Sequence, residues 1–297
     1  MKPPPFTYHR PASLSEALDT LAELGDEAKV LAGGQSLIAT LSLRLAHPAH
    51  LVDINRVDGA LSQIGEREGG LTIGALVRQR TAETASLVRE RSPLMAEALP
   101  YIGHMQIRNR GTVCGNLAHA DPASELPAVA AALDAAMVAQ SRERGVRVIP
   151  AADFFLGYLT TALALDELLL ELRLPAWPTG AGYAFQEVAR RHGDYALAGV
   201  AAVVQLDERG TCTDVRLAAT GVGPGPVRAR GAEALLKGQP FSAEAVTAAA
   251  ERVGQEVDPT TDVQATAAYR RHVATVLTRR TLEEAAGRAR SATRGNR

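Results

Sequence analysis

Two stretches carry residue types that could hold a charged ligand. "AGGQS" spans Ala32 to Ser36, and "RNRGTVCGNLAHADPASELPA" spans residues 108 to 128. Glycines let a backbone take unusual dihedrals and come close to a ligand, so that successive N–H groups converge on phosphate oxygens. In the first stretch Ser36 adds a hydroxyl, and a helix following it would add the positive end of its dipole. On its own, "AGGQS" reads first as a plain strand-to-helix turn, because Gly-Gly is common punctuation. It is neither a Walker loop nor a GxGxxG dinucleotide fingerprint. The second stretch supplies another loop, "RGTVCGN", with Gly111, Thr112, Gly115 and Asn116. A diphosphate brings two negative charges and many acceptors, and two such loops suit it better than one.

"HADPASE" then places His119, Asp121, Ser124 and Glu125 ahead of an apolar run. His119 with Asp121 makes a weak metal pair, since no third ligand stands at a recognisable spacing. His47 and His50 read as surface or capping residues. Asp121-Pro122 more simply starts the next helix. Glu125 suits either of two roles, accepting from a sugar-chain hydroxyl or complementing a helix dipole. Arg108 and Arg110 are left unassigned, and no convergent acid–base or nucleophilic cluster appears.

The elements that must position these residues can be read from periodicity. Leu14, Ala17, Leu18, Leu21 and Ala22 keep a helical period, with Ser13 as N-cap and Glu16 at the third helical position. "AKVLAGG" reads as a short buried strand entering a glycine loop, "SLIATLSLRLA" as a helix, and "HLVDI" (50–54) as a strand. Further on, "GGLTIGALV" is a strand behind a Gly-Gly turn. "SPLMAEALPYIG" is a helix with Pro93 in its first turn, "ELPAVAAALDAAMVAQ" a helix leading into a strand, and "DELLLELRLP" a strand. "PAWPTGAG" (175–182) has linker composition and marks a domain boundary. "YALAGVAAVVQL" and "DVRLAATGVG" read as strands joined by "DERG". "SAEAVTAAAERVG" and "TAAYRRHVATVLTRRTLEEAAG" read as helices. The division expected is 1–55, 56–176 and 177–286, with a disordered tail over 287–297.

The chain has 297 residues, 46% hydrophobic and 22% charged, with a formal net charge of -1. That balance leaves no electrostatic footprint for nucleic acid or an anionic membrane. Met1 to Phe6 lacks the apolar core of a secretory signal, and no run of 18 apolar residues exists to span a membrane. Cys114 and Cys212 are the only cysteines, too few for a disulfide scaffold or an iron–sulfur cluster within the chain. A cytoplasmic location is expected.

"AGGQSL", "IRNRGTVCGNLAHADPASELP", "DELLLELRLP", "RRHGDYALAGVA" and "YRRHVATVLTRR" follow one another in an order that resembles a known family. Over nearly its whole length the sequence is similar to the FAD-binding medium subunits of molybdenum hydroxylases, of the carbon monoxide dehydrogenase and xanthine dehydrogenase type. The resemblance implies an α+β fold: a two-part α/β FAD-binding region of PCMH type, then a C-terminal α+β domain. It implies a molybdopterin-containing large subunit and a [2Fe–2S] small subunit as partners, in a heterotrimer or a dimer of heterotrimers. Electrons would pass from the iron–sulfur subunit to FAD and on to an external acceptor. Carried onto this chain, Ala32, Gly33, Gly34, Gln35 and Ser36 are expected to line the diphosphate. Thr112, Gly115 and Asn116 are expected in a second cradle, Glu125 near the ribityl or diphosphate region, Leu169 flanking the ring system and Tyr195 beside the isoalloxazine. Leu31, Leu37, Ile102, Gly111, Cys114 and Gln186 complete the expected cofactor contacts. No catalytic residue and no metal ligand is expected, because bond-breaking would occur on the molybdenum subunit. Cys114 stands where the family most often has glycine, and Glu125 where aspartate is usual. Two other readings are a self-contained FAD-dependent oxidase and a subunit that has lost its flavin.

Overall fold

A three-stranded parallel sheet opens the chain. It is built from β1 (Thr7–His9), β2 (Ala28–Leu31) and β3 (His50–Asp53) in the order β1-β3-β2, with α1 (Leu14–Leu24) and α2 (Leu37–Ser42) as crossovers. A computed structural model describes residues 2–57 and 59–295 of the chain. α1 forms where its period predicts and buries Ala17, Leu18 and Leu21. Ser13 Oγ accepts from the Glu16 N–H at 3.2 Å, and the Glu16 carboxylate accepts from the Ala12 N–H at 2.7 Å. One orphan donor of the helix start is thereby satisfied, and the residue before the cap is tied to the first turn. α2 is shorter than its sequence pattern suggests. Leu43 and Leu45 find no surface to bury against, and Arg44 turns the chain with φ 58.

The second region begins with the hairpin β4 (Ile64–Arg67) and β5 (Gly70–Gly74), whose turn uses the left-handed Gly69. Six short helices follow: α3 (Gln79–Thr84), α4 (Ser86–Arg91), α5 (Pro93–Ala98), α6 (Met105–Arg110), α7 (Val113–His119) and α8 (Glu125–Ala132). Next come β6 (Ala136–Ser141), β7 (Gly145–Pro150), α9 (Ala151–Phe154), the small hairpin β8 (Phe155–Gly157) and β9 (Thr160–Thr161), and β10 (Leu168–Leu174). The resulting five-stranded sheet runs β4-β5-β10-β6-β7, antiparallel throughout.

Residues 175–181 lead into a four-stranded antiparallel sheet, β11 (Gly182–Val188), β12 (Ala198–Leu206), β13 (Cys212–Thr220) and β14 (Val227–Arg228). α10 (Arg230–Leu236), α11 (Ala243–Glu256) and α12 (Ala267–Gly295) complete the described chain. Side chains alternate across a strand, and this sheet uses both faces. Phe185, Ala201, Val203 and Ala218 join the core of the preceding region, while Ala184, Val200, Ala202 and Ala219 pack with the C-terminal helices.

The disordered tail expected from residue 287 is not found over 287–295, where α12 continues. Ala285, Ala286 and Ala289 are fully buried, and Arg288 pairs with Glu97 of α5 and with Glu284. Residues 296 and 297 lie outside the described residues.

Candidate functional site

β2 delivers the chain into the first glycine segment. Gly34 takes φ 75, a left-handed conformation that glycine adopts without strain. α2 then starts with the Ile38 N–H on the Gly34 carbonyl and the Thr40 N–H on the Ser36 carbonyl, both at 3.0 Å. Among the described residues, the N–H groups of Gly33, Gly34, Gln35, Ser36 and Leu37 donate to no protein acceptor. Five consecutive open donors on a glycine turn at a helix start have the form of an anion cradle.

The second segment differs from its sequence reading. "RGTVCGN" is not a loop: Gly111 and Thr112 are a two-residue joint between α6 and α7, and Cys114, Gly115 and Asn116 are helical. The signal was Thr112, a good N-cap, whose Oγ1 accepts from the Gly115 N–H at 3.0 Å. Cys114, expected among the cofactor contacts, has a buried side chain. It points into the core with its Sγ 3.5 Å from the Ile73 carbonyl, and burial pushes its thiol up to about 12. Asn116 turns its amide to the next segment, accepting from Ser124 Oγ at 2.9 Å.

The two segments, nearly 80 residues apart in sequence, touch. A Cβ on Gly33 would lie 2.5 Å from the Arg110 carbonyl oxygen and 2.7 Å from Gly111 Cα, and a Cβ on Gly115 would come within 3.9 Å of Ala32 Cβ. Beside this contact opens a cleft of about 480 Å³ lined by Leu31 to Gln35, Ile38, Ala39, Ser42, Asp53, Asn55 and Arg110. Asp53, Asn55 and Arg110 were not among the sequence candidates. The D-x-N spacing after β3 was a usable signal, because the Asp53 carboxylate accepts from the Asn55 N–H at 2.9 Å in a local turn.

The remaining candidates gather elsewhere. Thr220 Oγ1 shares its proton between the carbonyls of Ser124 (2.7 Å) and Pro122 (2.9 Å), and the Gly221 N–H donates to the Pro122 carbonyl at 2.8 Å. "HADPASE" is therefore held by the C-terminal sheet. Glu125 begins α8 in a buried position that pushes its carboxyl up to about 7, with Asp121 adding to the rise. Glu187, on β11, is pushed up to about 8 by burial and then by Glu125, and its Oε2 has no hydrogen-bond partner among the described residues. Tyr195 is 63% exposed. It ends a turn that packs on residues 101–104, where His192 stacks on Tyr101 with ring centroids 6.2 Å apart. Ile102 lies buried in that same stretch.

Gln186 and Leu169, also expected among the cofactor contacts, have side chains engaged by protein. Gln186 donates to Glu284 of α12 at 2.7 Å, on the face of β11 opposite Phe185 and Tyr101, because neighbouring strand residues point to opposite sides. Leu169 is packed in the core at a bulge in β10, so protein already covers its side chain.

Residues 4–177 match the model for the FAD binding domain in molybdopterin dehydrogenase, and residues 183–285 match the CO dehydrogenase flavoprotein C-terminal domain. The chain belongs to the FAD-binding family of the molybdopterin dehydrogenases. It is 43% identical to the 6-hydroxypseudooxynicotine dehydrogenase complex subunit alpha of Paenarthrobacter nicotinovorans, covering 98% of this chain and 97% of that one. It is 39% identical to the carbon monoxide dehydrogenase medium chain of Hydrogenophaga pseudoflava, covering 96% and 98%. A solved carbon monoxide dehydrogenase from the same organism, lacking the Mo-pyranopterin moiety of its cofactor, superposes with a TM-score of 0.94 at 41% identity, over 97% of this chain and 99% of that one. This family member is a flavoprotein oxidoreductase component with FAD as its cofactor.

Proposed function

We propose that the chain holds FAD with its diphosphate on the open N–H groups of residues 33–37, and that it works as the electron-transferring subunit of a molybdenum hydroxylase complex. The observation that carries this is the close approach of Gly33 to Arg110, Gly111 and Thr112 beside five unpaired donors. A side chain at position 33 would collide with that backbone, so glycine there lets the two segments meet beside the open donors. FAD, when bound, supplies the capacity to take electrons from an iron–sulfur cluster and release them to a second acceptor.

The residues divide the work. Gly33 to Leu37 offer neutral N–H donors, Arg110 brings positive charge to the rim, and hydrogen bonds to charged acceptors are worth about 1.5–3 kcal/mol each. Tyr195, exposed at the end of its turn, offers a ring to the isoalloxazine, and the buried Glu125 lies within electrostatic reach of it. The regions 1–55, 56–176 and 177–286 serve as the two halves of the FAD-binding unit and the domain packed against them. The partners are a molybdopterin-containing large subunit and a [2Fe–2S] small subunit, in a heterotrimer or a dimer of heterotrimers. Two free, buried cysteines suit the reducing cytoplasm.

Denaturing the protein purified with its partners should release FAD into the supernatant. A colourless complex that takes up no added FAD would overturn this reading.

A further inference from the structure

The polar side chains in the floor of the cleft are already committed to protein partners. Asn55 Nδ2 donates to the Ala32 carbonyl at 2.8 Å and to Asp53 Oδ1 at 2.5 Å, while Asn55 Oδ1 accepts from Arg78 Nη2 at 2.6 Å. Asp53 also accepts from the Tyr8 hydroxyl. Arg78 Nη1 donates to the Arg110 carbonyl at 2.6 Å. One unbroken chain of hydrogen bonds thus runs from the first glycine segment to the second: Ala32 carbonyl, Asn55, Arg78, Arg110 carbonyl. It ends on the carbonyl that a Cβ at position 33 would strike.

Arg78 is fastened at its own backbone as well. It bridges Thr112 in a short antiparallel pair, flanked by the Gln79 N–H on the Gly111 carbonyl at 2.8 Å and the Val113 N–H on the Val77 carbonyl at 3.0 Å. Burial and then the nearby Arg110 disfavour charge on Arg78, and Asp53 opposes them. The Tyr8–Asp53 pair therefore supports the guanidinium as well as the turn.

We propose that Arg78 and Asn55 are positioning residues that fix the separation of the two glycine segments before the cofactor arrives, so that both meet the FAD diphosphate as one surface. The inference rests on the reading that FAD occupies this cleft. Setting the two segments in advance removes the cost of ordering them on binding. Arginine suits the role because its planar fork reaches two acceptors at once, which the point charge of lysine does not.

The test uses the full-length chain stripped of FAD, titrated with FAD by flavin fluorescence, with the thermal midpoint of the FAD-free chain measured in parallel. Arg78→Lys and Asn55→Ala should each weaken FAD binding by about tenfold or more, a loss that Arg147→Met does not show at a comparable drop in the midpoint. The double variant should bind about as the weaker single variant does, because both lie in one chain of bonds. Arg147→Met is the comparison. It breaks a bidentate pair with Glu167, both bonds 2.7 Å, on β7 and should lower stability while FAD affinity stays at the parent level. Parent-like FAD affinity in both single variants, effects that multiply in the double variant, or a loss in Arg147→Met in step with its lost stability would each overturn the proposal. A parent chain that binds no FAD overturns the FAD reading itself, and this inference with it.

Discussion

Adding one methyl group at Gly33 should disable the cofactor site without unfolding the protein. The new Cβ would sit 2.5 Å from the Arg110 carbonyl oxygen, 2.7 Å from Gly111 Cα and 3.0 Å from the Thr112 nitrogen. Those neighbours are backbone, so the two segments must move apart by roughly 1 Å to restore ordinary carbon contacts near 3.5–4.0 Å. The N–H groups of residues 33–37 would then miss the diphosphate. Losing two hydrogen bonds to charged oxygens, at about 1.5–3 kcal/mol each, costs roughly 3–6 kcal/mol, or about two to four orders of magnitude in Kd. Gly287→Ala is the matched control. Nothing lies within 4 Å of its Cβ position, and alanine in α12 should stabilise the helix by roughly 0.5–1 kcal/mol. The assay is FAD affinity of the stripped chain alongside its thermal midpoint. Parent-like affinity in Gly33→Ala would refute the cradle, and equal losses in both variants would show that the effect is not local to the cleft.

Tyr195→Ala should change flavin fluorescence and speed reoxidation of the reduced cofactor by dyes, whereas Tyr195→Phe should match the parent. Stacking needs the ring, worth about 0.5–1.5 kcal/mol, and not the hydroxyl; unchanged spectra and rates in the alanine variant would remove Tyr195 from the site. The carboxyls of Glu125 and Glu187, held near 7 and 8 against an ordinary 4.5, give a signed pH dependence. Folding favours their neutral forms, so this contribution to stability is fully present below about pH 4.5 and is lost as pH rises through 7 to 8. Glu187→Gln should therefore be more stable than the parent at pH 9 in the FAD-free chain, by an amount on the order of 1–3 kcal/mol, and a chemical-denaturation series across pH that shows no such crossover would count against the buried pair. Burial raises both thiols, Cys114 to about 12 and Cys212 to about 11. A thiolate-specific reagent at pH 8 should label neither in the folded chain and both after unfolding; rapid labelling of native Cys114 would mean that it faces the cleft after all.

What the sequence by itself determined is what short-range physics determines. α1 runs from Leu14 to Leu24 because its apolar period, its Ser13 cap and Glu16 all lie within a dozen residues. β3, β10, β12 and β13 follow from apolar runs closed by turn residues, and the two glycine segments were visible as unusual backbone. The order of motifs carried the family, and with it FAD. Tertiary structure decided what those glycines are for. Gly115 reads as a loop residue yet sits in a helix, because its need for a missing side chain comes from Thr112 Oγ1 and Ala32 rather than from a turn. α12 passes Gly287 and runs on to Gly295 because Ala285, Ala286 and Ala289 are buried and Arg288 finds Glu97, 191 residues away. The Gln186 amide meets Glu284 of α12 because neighbouring residues of β11 face opposite sides of the strand. The cleft itself needed Asn55 and Arg78, 23 residues apart, to meet at 2.6 Å, and Arg78 to reach a carbonyl 32 residues further on. No local pattern encodes such a meeting. It exists because the segments that follow β3 and β5 pack against the joint between α6 and α7, and only the packed fold settles which polar side chains close the gap.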